Sequence, residues 1–449
     1  MSDDQRLDAI FKAYDVRGLY PDQLDDDIAR RVGNAFVAFT QPAVVLVGRD
    51  MRPSSEPLAA AFADGAALAG ADVVELGLTS TDLVYFASGR LDAPAAIFTA
   101  SHNPAQYNGI KLCRAGAAPV GQDTGLGQIK ATVASGLFER AEERGRVEQR
   151  DLLPEYVQHV HSFVDVDALR PLRVVADTAN GMGGLVVPAV FADLPFELSI
   201  LFPELDGTFP NHPADPIQAE NLKDLQRAVL DVDADVGLAF DGDADRVVLV
   251  DDQAQPVSGS ITTAALAKAF LEKNPGETIV HNLICSKVVP EVVRESGGIP
   301  VRTRVGHSFI KQVMAETGAI FGGEHSAHYY FRANFRADSG IIAALMMLDQ
   351  LSRADVPLSE LRRPFERYSA SGEINTPVDD PAAVIERVAT SYADADQDRL
   401  DGLTVDFGDW WFNLRPSNTE PLLRLNLEAR DDAACDAHTA EVLTLVRGE

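Results

Sequence analysis

Short apolar, β-branched runs alternate with longer segments of helical character along most of the chain. AVVLVG at 43–48 leads into the alanine-rich SSEPLAAAFADGAALAGA, then into DVVELG at 72–77 and AAIFTA at 95–100. Strands covered on both faces read as continuous apolar runs, and their alternation with helical segments predicts α/β units. The rhythm recurs at LRVVADTANGMGG (172–184) and ADVGLAFDGDADRVVLVDD (234–252). It appears again at ETIVHNLICS (277–286), GGIPVRTRVG (297–306) and GAIFGGEHSAHYYF (318–331). A chain of 449 residues exceeds the ~250–300 at which one core stops growing. The pattern therefore predicts three related α/β domains. Past residue 370 the composition shifts to LTVDFGDWWFNLRPSNTEPLLRLNLEAR and one terminal helix pattern, which predicts a smaller α+β domain. Charged or turn-rich stretches set the expected seams, giving domains at 1–149, 150–252, 253–368 and 369–449.

Hydrophobic residues make up 46% and charged residues 24%, as in ordinary globular proteins. No apolar run is long enough to span a bilayer, and the acidic start MSDDQRLDAIFKAYD lacks a secretory core. Cys113, Cys285 and Cys435 are far apart and in no metal spacing, so they read as reduced thiols of a cytoplasmic protein. The net charge of −29 disfavours nucleic acid and anionic membranes as partners. It also demands that any phosphorylated substrate be met by a local cluster of cations.

Such clusters can be named. In LAFDGDADRVV, Asp241, Asp243 and Asp245 follow an apolar strand at alternate positions with small residues between. Three carboxylates so placed repel unless a cation joins them, and hard oxygen donors suit Mg²⁺ or Ca²⁺. An EF-hand is ruled out because Arg246 and Asp252 occupy the positions that need Gly and Glu. In FNLRPSNTEP, Arg415, Ser417, Asn418 and Thr419 share a turn between strand-like runs, with a planar fork and hydroxyls suited to phosphate. Glu324, Ser326 and His328 alternate after a strand. Read as extended backbone they share a face, an arrangement that can grip neighbouring sugar hydroxyls. His307, after Gly306, is either a general acid/base or a buried histidine satisfied by backbone. Arg17, in FKAYDVRG, is a weak signal alone.

Ser101 stands at the end of AAIFTA, in TASHNP, with Lys111 ten residues on. The hydrolase elbow is excluded because Asn103 occupies one of its glycine positions. Adjacent numbering makes a Ser101–His102 triad pair unfavourable. What remains is a serine near a metal with Lys111 balancing charge. A phosphoryl group on Ser101 would unite it with the Asp triplet, Mg²⁺, Arg246 and Lys111.

Together these segments resemble, in order and over nearly the whole chain, the α-D-phosphohexomutase superfamily and its phosphomannomutase/phosphoglucomutase group. TASHNP resembles its phosphoserine loop, DGDADR its Mg²⁺ loop, GEHSAH its sugar-binding loop and RPSNTEP its phosphate-binding loop. AYDVRG is similar to the start of the mannose/glucose group, which places Tyr14 among the substrate contacts. The resemblance implies mixed sheets and four domains around a central cleft. It implies reversible conversion of hexose 6-phosphate and hexose 1-phosphate, with mannose as the expected sugar and glucose phosphates as co-substrates or, alternatively, the main ones. Phospho-Ser101 would donate to the free hydroxyl, giving a hexose 1,6-bisphosphate, and then take the other phosphate back. Mg²⁺ would sit on Ser101, Asp241, Asp243 and Asp245. Lys111 and Arg246 would complement it, and His307 or Arg17 would handle the hydroxyl proton. Glu324, Ser326 and His328 would hold the sugar, and Arg415, Ser417, Asn418 and Thr419 the non-reacting phosphate.

There are departures from the pattern. Ile284 stands where some bacterial relatives carry a lysine, with Lys287 three residues later, and Arg304-Val305 replaces Lys-Thr before Gly306. Two other classes share parts of this pattern: a metal-dependent serine phosphatase and a non-catalytic sugar-phosphate-binding protein. The first would have to admit water to Ser101. The second would have no use for Ser101 and three metal carboxylates together. A monomer or dimer is expected.

Overall fold

The structure, a computed structural model, describes residues 2–416 and 422–448. It contains four sheets, one of seven strands and three of five. The first three are mixed. In the first, strand Val44–Arg49 lies parallel between Asp72–Leu78 and Ala95–Phe98, and Tyr107–Arg114 then runs antiparallel beside Ala95–Phe98. In the second, Val236–Phe240 is parallel to Arg173–Asp177 and antiparallel to Val247–Asp251. In the third, Phe321–Gly323 is parallel to Thr278–Asn282 and antiparallel to Tyr329–Phe331. The same device is built three times: a parallel strand turns at its carboxyl end into an antiparallel neighbour. The fourth sheet is antiparallel throughout.

These three turns hold residues 99–106, 241–246 and 324–328, so each α/β unit presents one of the loops expected to carry chemistry. Carboxyl ends of parallel strands are where open α/β sheets leave room for ligands. Helices cover the sheets, and close approach is bought by missing side chains. A Cβ on Gly65 would lie 1.9 Å from Arg30 O, and one on Gly33 2.2 Å from Phe62 O. Helices Asp26–Thr40 and Ser55–Leu68 therefore cross in backbone contact.

One apolar cluster draws on all three α/β units, from Leu46 through Phe240 to Leu358. The C-terminal unit has its own, built on Val388, Phe412, Leu425 and Val446. Polar ties join that unit to the third: Lys287 Nζ donates to Asp406 Oδ1 at 2.6 Å, Val305 N–H donates to Asp401 Oδ2 at 3.2 Å, and Arg302 pairs with Asp398. The second sheet runs to Val257, past the seam expected at 252. Strand Pro256–Val257 folds back on Leu249 and Val250, and the next helix starts only after the cap at Ser258. No helix of the described residues is long and apolar enough to cross a membrane, and the three cysteines are free and buried.

Candidate active site

The first and second loops meet. Ser101 Oγ donates to Asp241 Oδ2 at 2.7 Å, and Arg246 Nη2 donates to Ser101 Oγ at 3.2 Å. Arg246 Nε also donates to Asp241 Oδ2, at 2.9 Å. Both backbones must come close for this: a Cβ on Gly242 would lie 2.4 Å from Ser101 O. Lys111, on the antiparallel strand after the serine loop, donates from Nζ to Asp243 Oδ2 and to Asp245 Oδ2, both at 2.7 Å. Thr81, at the start of helix Thr81–Leu91, donates to Asp243 Oδ2 at 2.5 Å. Thus Ser101, Lys111, Arg246 and the three aspartates form one buried constellation drawn from two units.

The carboxylates are almost wholly removed from solvent. Burial pushes the Asp241 carboxyl well up, with the charges of Asp245 and Asp243 adding to it and Arg246 opposing. Burial acts the same way on Asp243, but the Lys111 ammonium outweighs it and holds that carboxyl well below the usual range. Burial alone would lower Lys111, yet Asp243 and Asp245 keep it charged. One oxygen from each of Asp241, Asp243 and Asp245 falls within 4.8 Å of the others. Asp243 Oδ1 and Asp245 Oδ1 are buried with no hydrogen-bond partner. An unmet buried acceptor costs about 1–3 kcal/mol, more when charged. The hard oxygen set and its two unmet oxygens fit a divalent cation such as Mg²⁺.

Ser101 and His102 lie closer than their adjacency suggested, with Oγ 3.2 Å from Nδ1. That nitrogen, however, faces the Arg246 guanidinium, whose charge together with burial holds His102 well below its ordinary value. His102 is neutral and its Nδ1 is engaged, so it does not make a serine–histidine base pair.

The third loop joins the other two through a backbone bridge between Arg246 and His328. Residues 324–328 are not extended, as alternation had implied. Glu324 N–H donates to His328 O at 3.0 Å, Ala327 N–H donates to Glu324 O at 3.1 Å, and Ala327 has φ +64°. The segment is a hairpin turn, yet its side chains converge on His328, whose Nδ1 lies 3.6 Å from Glu324 Oε2. Ser326 Oγ is 2.9 Å from His328 Nδ1, and His328 Nε2 lies 3.6 Å from Asp245 Oδ1. Glu324 is buried: Oε1 accepts from Asn282 Nδ2 at 3.1 Å and Gly306 N–H at 3.2 Å, and Oε2 accepts from the Tyr330 hydroxyl at 2.7 Å. Among the described residues Oε2 accepts this one hydrogen bond, with His328 Nδ1 3.6 Å away, so it keeps acceptor capacity.

Tyr14 donates to Val305 O at 3.2 Å, and its ring stands edge-on to His307 at 5.3 Å. The N-terminal segment of the first unit is thereby fixed to the third. His307 opens helix His307–Thr317. Burial, then the nearby Lys311 charge, hold it well below its ordinary value, and its Nδ1 has no partner. Arg17 donates to Asn103 Oδ1 at 2.6 Å and pairs with Asp15, which places it on the serine loop. Arg415 is buried in strand Trp410–Pro416 and donates to Glu373 Oε2 at 3.0 Å. Ser417, Asn418 and Thr419 lie outside the described residues. Lys287 serves the tie to the C-terminal unit and leaves no lysine at the position held by Ile284.

Sequence reasoning passed over Thr81 and Arg52. Both lie far from the loops in the chain, and their partners become visible only when the sheets assemble. Arg52 had one signal, a charged pair with Asp50 directly after an apolar strand.

Comparison with known proteins gives the family. Family models for phosphoglucomutase/phosphomannomutase match in order: α/β/α domain I at residues 8–140, domain II at 154–255, domain III at 258–368 and the C-terminal domain at 373–445. The chain is 42% identical to proteins described as phosphohexose mutases from Xanthomonas campestris pv. campestris, over 98% of this chain and 99% of theirs. It is also 42% identical to a phosphomannomutase of Escherichia coli K12, over 97% of this chain and 98% of that one. A solved phosphoglucomutase/phosphomannomutase family protein from Burkholderia thailandensis superposes with a TM-score of 0.89 at 32% identity, covering 98% of each chain.

Proposed function

The chain belongs to the phosphoglucomutase/phosphomannomutase family, and from that premise we propose that it interconverts mannose 6-phosphate and mannose 1-phosphate through phospho-Ser101. As a phosphohexomutase it is an isomerase-type phosphotransferase. The observation that carries the residue-level reading is the Ser101–Asp241–Arg246 contact, with Lys111 between the other two aspartates.

Asp241, Asp243 and Asp245, with the Ser101 oxygen, would hold Mg²⁺, which when bound supplies Lewis-acid neutralisation of phosphoryl oxygens. The substrate hydroxyl attacks phosphorus as the bond to Ser101 Oγ breaks. Charge spreads over the equatorial oxygens, so positioning and electrostatics dominate. Arg246, donating to Oγ, stabilises the departing serine oxygen, and Lys111 adds a second fixed cation. Of the two candidates for the hydroxyl proton, Arg17 is engaged with Asn103 of the serine loop and with Asp15. His307 carries a buried Nδ1 that lacks a hydrogen-bond partner, and it takes the role. The hexose 1,6-bisphosphate then turns over in the cleft, and Ser101 recovers the other phosphate.

Arg415 with Ser417, Asn418 and Thr419 would hold the non-reacting phosphate, and Glu324, Ser326 and His328 the sugar. Arg17, Lys111, Arg246 and Arg415 supply positive charge at the cleft of a chain whose net charge is −29. The free thiols and the small anionic substrate suit a cytoplasmic enzyme.

The test is steady-state kinetics on mannose 1-phosphate and glucose 1-phosphate, with and without added glucose 1,6-bisphosphate. Turnover of mannose 1-phosphate stimulated by bisphosphate supports the reading. Release of inorganic phosphate without isomer formation would mark a phosphatase instead.

A further inference from the structure

Ser101 has φ +49°, a left-handed backbone conformation that L-residues enter at a cost of about 1–2 kcal/mol. Something must hold it there. Its N–H donates to Thr99 Oγ1 at 2.9 Å, and its carbonyl accepts from Arg52 Nη2 at 2.8 Å. Both backbone groups of the serine are therefore pinned.

Arg52 does more than this one bond. Its Nη2 also donates to Asn103 O at 2.6 Å, and its Nη1 to Pro104 O at 2.8 Å and Tyr107 O at 3.0 Å. Its Nε donates to Asp50 Oδ2 at 3.2 Å. A guanidinium has five N–H donors. Four of these contacts fall on carbonyls of one loop and the fifth on a carboxylate. The side chain is fully buried, with the Phe209 ring of the second unit 5.0 Å from the guanidinium carbon. Asp50 is itself fixed, accepting from Arg52 N–H at 2.9 Å and from Ser55 Oγ at 2.5 Å.

Burying a cation this completely is costly, and pairing it with Asp50 needs none of the four carbonyls. The carbonyls are what the fork is shaped for: they set the path of the chain from Ser101 to Tyr107 and hence the direction of Oγ towards Asp241 and Arg246. We propose that Arg52 is a positioning residue for phosphoryl transfer, clamping the Ser101 loop so that the phosphoryl group passes to a sugar hydroxyl rather than to water. This rests on the carrier role of Ser101 proposed above. In the side reaction a water oxygen bonds to phosphorus as the P–Oγ bond breaks. Ser101 Oγ takes up a proton from the attacking water and orthophosphate leaves. A loop free to swing exposes the phosphoryl group to that attack and misaligns it for the sugar.

The experiment loads full-length wild type and Arg52→Lys with glucose 1,6-bisphosphate, removes the excess, and follows the phosphoenzyme by intact mass. The mutase kcat and KM are measured on the same samples, well below each Tm. Lysine keeps the charge but cannot span four carbonyls. The clamp predicts a kcat lower by about 100-fold, a KM within about twofold, and loss of the label to water faster by about tenfold or more. Wild-type kcat and wild-type label loss in a folded Arg52→Lys overturn the inference. A lowered kcat with wild-type label loss also overturns it, because a merely structural role would do the same. If Arg52→Lys does not fold, Thr99→Val, which removes the hydroxyl that accepts from the Ser101 N–H and also bonds Asp50, decides by the same two readouts. Failure of the wild type to take up label on Ser101 would instead sink the carrier role itself, so the two failures are distinguishable.

Discussion

Thr81 holds Asp243 twice: its hydroxyl donates to Oδ2 at 2.5 Å and its N–H to the backbone carbonyl at 3.0 Å. The contact crosses from the first unit to the second. With Lys111 on the same Oδ2, the carboxylate is turned so that Oδ1 is left without a partner. Outer partners of this kind fix the orientation of a metal-binding carboxylate, and removing one typically costs 10–100-fold in affinity or activity. Thr81→Val should therefore weaken Mg²⁺ binding by about that factor in calorimetric titration, while Thr81→Ser stays near wild type. Equal affinities for Thr81→Val and wild type would show that Asp243 needs no such support.

Removing the ion should remove the activity. Excess chelator is expected to abolish turnover and Mg²⁺ to restore it. Asp243→Asn should lose most Mg²⁺ affinity, because a hydrated ion that parts with water reluctantly depends on each carboxylate. Full turnover in excess chelator contradicts the assignment of the aspartates.

A pH-dependent contribution to stability is built in beside Thr81. Asp82 is completely buried and accepts from the hydroxyls of Tyr156 and Ser339, each at 2.5 Å, and of Ser80. It thereby joins all three α/β units. Burial pushes its carboxyl up to about 6 despite these donors. A carboxyl raised on folding binds its proton more tightly in the folded state. Its favourable contribution is complete below the unfolded value near 4 and is lost as pH rises through about 6. Asp82→Asn cannot ionise, so its Tm relative to wild type should improve between pH 5 and pH 7.5. A constant Tm difference across that range would show that Asp82 ionises normally.

Sugar choice follows from which hydroxyls are read. If Glu324 and Ser326 read the C3 and C4 hydroxyls, as the family resemblance implies, they meet groups at which glucose and mannose agree; the two sugars differ at C2. A single unread hydroxyl is worth about 1–3 kcal/mol of discrimination. Mannose 1-phosphate and glucose 1-phosphate should both be turned over, and galactose 1-phosphate, inverted at C4, far less well. Glu324→Ala should depress both good substrates by similar factors. Impairment of only one, or galactose 1-phosphate matching the others, would contradict the C3/C4 reading.

Much of this site was legible because its chemistry is carried by short contiguous stretches. Asp241, Asp243 and Asp245 sit within one turn, and Ser101 and Lys111 flank a single loop. Three α/β units and an α+β unit followed from apolar runs that remain buried in the sheets. Two things were not legible. Local alternation in Glu324-x-Ser326-x-His328 suggested extended backbone, but the pairing of strand Phe321–Gly323 with Tyr329–Phe331 requires a turn there, which no spacing of polar residues encodes. The second seam was placed at 252 from a run of polar residues that is in fact a hairpin within the second sheet. Arg52 and Thr81 belong to the same class: their partners are fixed by tertiary packing, 49 residues away for Ser101 O and 162 for Asp243.

The central claim is that Ser101 carries the phosphoryl group. Its hydroxyl is a small part of a well-packed turn, so Ser101→Ala should leave the fold and Tm close to wild type. The most direct measurement is intact mass of wild type and Ser101→Ala after incubation with glucose 1,6-bisphosphate, with mutase activity assayed in parallel. The account predicts a gain of one phosphoryl group in the wild type alone, and a Ser101→Ala protein that neither gains it nor turns over mannose 1-phosphate. A Ser101→Ala variant that is labelled and active like the wild type would contradict it.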